Sequence, residues 1–266
     1  MAYINIAEKV QSSVSWPLLG VSALSKSFGP IAAITNLSFT ICQGEIVGLI
    51  GPMRSGRSII IDLLAGTIKP TFGSITITGE DVTQLGADSR SRRGVVCGLP
   101  PVDLFDDLTA LECVGLGGVI SQPPFFSRRG GKTYRDEAIS ALEFTGLADM
   151  RDVRADALSP YQQRLLMIAV ALAAKPELLL LDDPATGMTK AERSALASLI
   201  AGIRENGTSV LIAEGDMGPL MDVCDRILVL SSGRIIADDM PSRITSNSAV
   251  INAYLSRSQW SHPSLD

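Results

Sequence analysis

Histidine is nearly missing from this sequence: of 266 residues only His262 is one, and it lies close to the end. That removes histidine general catalysis, histidine metal sites and histidine pH switches from the body of the protein. Cysteine pairs are missing too. Cys42, Cys97, Cys113 and Cys224 are far apart, without a Cys-x-x-Cys spacing. Zinc ribbons and redox dithiols are therefore unsupported, and reduced, partly buried thiols in a cytosolic protein are expected. Positive charge is not in excess: 23 Lys and Arg stand against 28 Asp and Glu, net −5, so no nucleic-acid partner is expected. No long hydrophobic run occurs either. The longest, residues 165–174, stops at Lys175-Pro176-Glu177 and is too short to span a bilayer. The first eleven residues lack the basic start and apolar core of a signal peptide. A hydrophobic content of 46% with 19% charged residues excludes a disordered chain. The length suits one large domain or two small ones, with enough chain to bury a core. The mean hydropathy of +0.26 fits a soluble chain that keeps an apolar surface for a partner.

Short β-type runs alternate with helical patterns. Residues 20–25, 37–41, 46–50, 74–78, 95–99, 178–182, 209–213, 227–230 and 234–237 read as strands. Leu178-Leu179-Leu180-Leu181 is a continuous apolar run, as expected of a parallel strand buried on both faces. Helical patterns cover 58–65, 191–204 and 219–223. Thr189-Lys190-Ala191-Glu192 is a capping box that starts the second of these. The alternation predicts an α/β domain with a mostly parallel sheet. From 109 to 174 the pattern is helical, broken by a Pro/Gly/Arg-rich stretch at 122–131, which predicts a helical subdomain inserted into that lobe.

Gly51-Pro52-Met53-Arg54-Ser55-Gly56-Arg57-Ser58 follows an apolar strand and opens a helix, the context of a nucleotide-phosphate loop. Its glycines let backbone N–H groups wrap a phosphate at a helix N-terminus. Ser58 stands where a hydroxyl would hold Mg²⁺. The usual lysine is Arg57, a planar fork in place of a compact ammonium. Asp182-Asp183, after an apolar strand and about 125 residues further on, supplies an aspartate where such folds hold Mg²⁺; the alternative is that Asp182 only caps the turn before Pro184.

These motifs, taken together, resemble the ATP-binding subunits of ABC transporters, in particular those of branched-chain amino-acid importers. The likeness covers roughly residues 18–256. It also rests on Ser25-Lys26-Ser27-Phe28-Gly29, Leu104-Phe105-Asp106-Asp107-Leu108-Thr109, Ala141-Leu142-Glu143-Phe144-Thr145-Gly146-Leu147, Gln162-Gln163-Arg164, Asp182-Asp183-Pro184-Ala185, Asp225-Arg226-Ile227 and Val250-Ile251-Asn252-Ala253-Tyr254-Leu255. The resemblance implies a P-loop (RecA-like) α/β core with a small antiparallel β subdomain and the inserted helical subdomain, about 105–165. Residues 1–17 would be an N-terminal extension and 257–266 a tail. It implies ATP and Mg²⁺ as cofactors, with Phe28 stacking adenine, residues 51–59 (Gly51 through Ile59) cradling the phosphates, and Ser58 and Asp182 on the metal. It further implies transmembrane permease subunits and a second ATP-binding subunit as partners, at the cytoplasmic face of the inner membrane. In such a dimer Ser159 and Gln162 would face the partner's nucleotide.

Five positions depart from the family's pattern. Lysine is replaced by Arg57. The family's catalytic glutamate falls on Asp183, one carbon shorter; a retreat of roughly 1.5 Å can cost on the order of 100-fold in rate. Its glutamine falls on Pro100 and its switch histidine on Gly215. The signature reads Leu158-Ser159-Pro160-Tyr161-Gln162, in which Ser159 suits an N-cap and Pro160 a first helical position. Tyr161 either puts a ring where a phosphate should approach or swings aside onto the helical subdomain. Impaired hydrolysis is the expectation, with a catalytically dead structural or regulatory partner of an intact ATP-binding subunit as the alternative. The basic clusters Ser91-Arg92-Arg93 and Ser127-Arg128-Arg129 read as solvated loops, and Phe105, Leu108 and Pro123-Pro124-Phe125-Phe126 as candidate contacts to a membrane subunit.

Overall fold

Three strands without a polar side in their interiors form the centre of the molecule: β3 (Ile46–Ile50), β7 (Leu178–Asp182) and β8 (Ser209–Glu214). Residues buried on both faces belong inside a parallel sheet covered by helices. The computed structural model describes residues 17–98, 107–120, 134–215 and 218–258. In it these strands join β6 (Val95–Gly98), β9 (Arg226–Ser231) and β10 (Arg234–Asp239) in the order β10-β9-β3-β8-β7-β6. All neighbours are parallel except β10, which turns back on β9 as a hairpin.

A second sheet is antiparallel: β2 (Ile31–Cys42), β1 (Pro17–Phe28), β4 (Phe72–Ile77) and β5 (Glu80–Asp81), in that order. In β2, Leu37, Phe39 and Ile41 are buried while Ser38 and Thr40 are exposed, the period of a sheet with one wet face. β1 and β2 run well beyond the apolar stretches at 20–25 and 37–41, because antiparallel pairing supplies hydrogen bonds to their polar ends.

Helix α1 (Arg57–Ala65) packs between the two sheets, its Ile60, Leu63 and Leu64 joining Leu19, Leu24, Leu49 and Leu180 in one core. The other face of the parallel sheet is covered in part by α6 (Lys190–Glu205), whose Leu196, Ile200 and Ile203 recur at helical spacing. Thr189 and Glu192 cap α6 reciprocally, as the sequence predicts. A third cluster belongs to α3 (Ala110–Ile120), α4 (Tyr134–Phe144) and the face of α5 (Pro160–Ala173) that carries Leu165, Leu166, Ala169 and Ala173, the helical insertion. The expected helix at 219–223 is a 3₁₀ helix, Gly218–Val223. Short helices α2 (Ala87–Ser91), α7 (Pro241–Ile244) and α8 (Ser248–Ser258) complete the fold. Among the described residues no helix is long and apolar enough to cross a membrane.

Candidate functional site

The loop at 51–56 connects β3 to α1, and three backbone hydrogen bonds hold it. Ser55 N donates to Pro52 O at 3.0 Å, Gly233 N to Ser55 O at 3.0 Å, and Thr35 N to Gly233 O at 2.9 Å. The β9–β10 turn thus ties the loop to the antiparallel sheet. Gly56 is the N-cap of α1 with φ 106°, a left-handed conformation that glycine enters without strain. It offers no side-chain cap, so the first amides of α1 meet no side-chain oxygen from the N-cap. A cavity of about 560 Å³ lies over this turn, lined by Arg54 to Ile59, Ile31 to Ala33, Ser232 and Gly233. Pro52 is buried, whereas Met53, Arg54 and Ser58 are exposed. Phe28 pairs with Ile31 across the β1–β2 turn, is half exposed, and carries Lys26 Nζ 5.0 Å from its ring centre.

The ends of β7 and β8 close the opposite side. Asp182 ends β7; burial pushes its carboxyl upward, and a hydrogen bond from the Ser58 hydroxyl pulls it back. Asp183 follows with φ 43°, its N–H donating to Ala213 O at 2.8 Å. Glu214, buried at the end of β8, accepts from Ala185 N and Gly215 N, both at 3.0 Å. Burial raises its carboxyl as well, and neighbouring Asp183 adds to the rise. Glu214 thereby holds the turn after β7 that carries Asp183 and leads to α6. Its signal in the sequence is an acidic residue ending the apolar run 209–213.

Arg57 joins the two sides. Its Nη1 donates to Gly51 O, its Nη2 stands 3.5 Å from Asp183 Oδ1, and its guanidinium lies over Gly215. Among the described residues, three buried side-chain polar atoms have no hydrogen-bond partner: Ser55 Oγ, Arg57 Nε and Asp182 Oδ1. Buried polar atoms are ordinarily satisfied, so three together mark a place built for something polar. The chemistry of the set, a hydroxyl, a guanidinium and a carboxylate beside a helix N-terminus with no side-chain cap, fits a phosphate with a divalent cation.

A sequence profile of the family described as ABC transporter matches residues 34–186. The chain belongs to the ABC transporter family. It is 36% identical over 254 residues to the high-affinity branched-chain amino acid transport ATP-binding protein LivG of Salmonella typhimurium, covering 91% of this chain and 99% of that protein. It is 34% identical to BraF of Pseudomonas aeruginosa, a protein of the same description, with the same coverage. The fold is that of a solved ATP-binding cassette of an ABC transporter in its ADP conformation, with a TM-score of 0.82 at 24% identity, over 90% of this chain and 98% of that one. The α/β core with its antiparallel and helical additions is therefore the family's fold.

Of the residues singled out in the sequence, 51–59, Asp182, Asp183 and Gly215 converge on this site. Ser159 and Gln162 do not join it. They cap α5: Gln162 N donates to Ser159 Oγ at 3.3 Å, and Ser159 N to Gln162 Oε1 at 3.0 Å, with Pro160 in the first turn. Tyr161 packs against the helical cluster, as does Leu108. Asp225 and Arg226 are structural: Asp225 Oδ2 accepts from Ile46 N at 2.8 Å, and Arg226 bridges Glu45 and Asp238. None of the four cysteines is in a disulfide; burial pushes the thiols of Cys97 and Cys224 up to about 12 and that of Cys113 up to about 11, which makes these three inert. Pro100, Phe105, residues 123–129 and His262 lie outside the described residues.

Proposed function

We propose that this chain binds Mg-ATP at the 51–58 loop and serves as the ATP-binding subunit of an importer for branched-chain or related amino acids. The observation that carries the binding reading is the trio of buried, unpartnered atoms, Ser55 Oγ, Arg57 Nε and Asp182 Oδ1, beside the open N-terminus of α1. The loop amides and Arg57 would hold phosphate oxygens, Ser58 and Asp182 the Mg²⁺, and Phe28 the adenine. The bound cation would neutralise the phosphate charge during transfer. Asp183 is the carboxylate nearest to a water-activating role. Ser159 and Gln162, on the separate α5 terminus, would serve the nucleotide of a second ATP-binding subunit. The branched-chain amino-acid substrate rests on LivG and BraF, which span nearly their whole length with this chain. Transmembrane subunits would complete the importer and hold this chain at the cytoplasmic face of the membrane.

A second reading, binding with little or no turnover, is favoured by the contact of Arg57 with Asp183, which engages the carboxylate closest to the reaction. Thermal unfolding with and without Mg-ATP tests binding. A ligand at a hundred times its Kd stabilises by about 2.7 kcal/mol, and Asp182→Asn should lose most of that gain. An unchanged midpoint in the parent chain would remove the ATP-binding reading. Comparing turnover of the parent with the revertant carrying Arg57→Lys, Pro100→Gln, Tyr161→Gly, Asp183→Glu and Gly215→His separates the two readings. Equal rates would show that the five departures do not impair catalysis.

A further inference from the structure

Arg57 and Gly215 lie on different elements, the first at the start of α1 and the second just past β8, and each makes room for the other. A Cβ on Gly215 would stand 3.2 Å from Arg57 Nη2, 3.7 Å from Nη1 and 3.8 Å from Cζ. A Cβ at 215 would press on the guanidinium, and a longer side chain extending toward it would displace it. Gly215 is outside the left-handed region, so space rather than backbone conformation is what its missing side chain provides. The guanidinium rests there on weak partners. Asp183 is 42% exposed and 3.5 Å away, an arrangement in which an ion pair contributes little. Nε has no hydrogen-bond partner among the described residues. A phosphate offers the same fork two charged oxygens in its own plane, a stronger and shorter contact.

We propose that Arg57 and Gly215 form one unit that tells a nucleoside triphosphate from a diphosphate. In the free chain the guanidinium is parked over the bare backbone of Gly215, between Gly51 O and Asp183. The α1 amides lie on one side of it and the β7 and β8 ends on the other. A diphosphate held by the amides leaves it parked. A triphosphate, one phosphate longer, reaches it, draws it off Asp183, and frees that carboxylate. The side chain absent at 215 is thus replaced by one that enters the same space from the loop. This rests on the nucleotide-binding reading above.

The test is a double-mutant cycle of Arg57→Ala and Gly215→Leu, with Gly215→Ala as a milder second probe. The readouts are Kd for Mg-ATP and Mg-ADP and the unfolding midpoint of the nucleotide-free chain. The parent should prefer ATP by about 10- to 100-fold, the range of a charge-assisted contact. Arg57→Ala should weaken ATP by that factor and leave ADP nearly unchanged. Gly215→Leu, which evicts the guanidinium from its parked place, should raise that preference while Arg57 is present, and Gly215→Ala should raise it less; adding Gly215→Leu to Arg57→Ala should change nothing further. Gly215→Leu should lower the free-chain midpoint with Arg57 present and much less in the Arg57→Ala background. Equal weakening of ATP and ADP, or an additive unfolding cycle, overturns the Arg57–Gly215 unit alone. A parent that binds neither nucleotide overturns the functional reading and the triphosphate role with it.

Discussion

Helices α1 and α5 both begin at segments that the family resemblance assigns to nucleotide, yet they are held from opposite ends. The N-terminus of α5 is closed: Ser159 and Gln162 satisfy each other's backbone groups. The N-terminus of α1 is open: its N-cap is a glycine without a side chain, and three buried polar atoms nearby lack partners. What holds α1 is its other end. Arg90, fully buried, donates to the carbonyls of Leu63 and Leu64 in the last turn, and also to Thr83 O and Leu85 O. A cation at a helix C-terminus meets the negative end of the dipole. The difference teaches that one end of a helix can go uncapped where the other end is firmly anchored.

The largest expected effect breaks the α1 side of that comparison. Arg90→Met strands several buried carbonyls, each costly to leave unmade. The expected loss is about 3 kcal/mol or more, a fall of the unfolding midpoint on the order of 6–12 °C. A midpoint within a degree of the parent would show that α1 does not depend on its C-terminal anchor. Smaller is the effect at α5. Ser159→Ala removes the cap and should cost about 1 kcal/mol. In the isolated chain the Mg-ATP-induced shift should persist, because among the described residues the Ser159 side chain bonds within its own helix terminus. Loss of that shift would place Ser159 in the same chain's nucleotide site and contradict the separation of the two termini.

The smallest effect is a slope. Asp182 and Glu214 have carboxyls raised above their ordinary 3.8 and 4.5, chiefly by burial. A raised folded value means the native state binds protons more readily than the unfolded one, so stability falls as pH climbs above those ordinary values through the raised ones. Asp81, Asp156 and Glu192 are lowered by hydrogen bonds, so they work the other way in acid. The difference between parent and variant isolates the buried pair: Asp182→Asn and Glu214→Gln should each flatten the declining limb of nucleotide-free stability. A limb that is unchanged in both variants would show that burial at the open terminus carries no charge cost.

Much of this was legible along the chain. Leu178–Asp182 reads as a parallel strand because both faces are apolar, and the caps at Thr189 and Ser159 are readable because each involves residues three apart. Arg90 was not legible. It adjoins Ser91-Arg92-Arg93, where Arg92 and Arg93 do make exposed pairs with Asp88 and Glu80, and nothing local marks it as the buried one. The 3₁₀ geometry of Gly218–Val223 and the longer spans of β1 and β2 likewise depend on what packs or pairs beside them.

The sequence by itself determined the family, the alternation of strands and helices, and the Gly-rich strand–loop–helix motif at 51–58, because motif and periodicity are local in the chain. Only the tertiary structure decided how Arg57 and Gly215 relate. Arg57 and Gly215, 158 positions apart in sequence, share one volume because β3 and β8 are neighbours in the parallel sheet. Steric exclusion acts through space, and the order of residues alone carries no record of it.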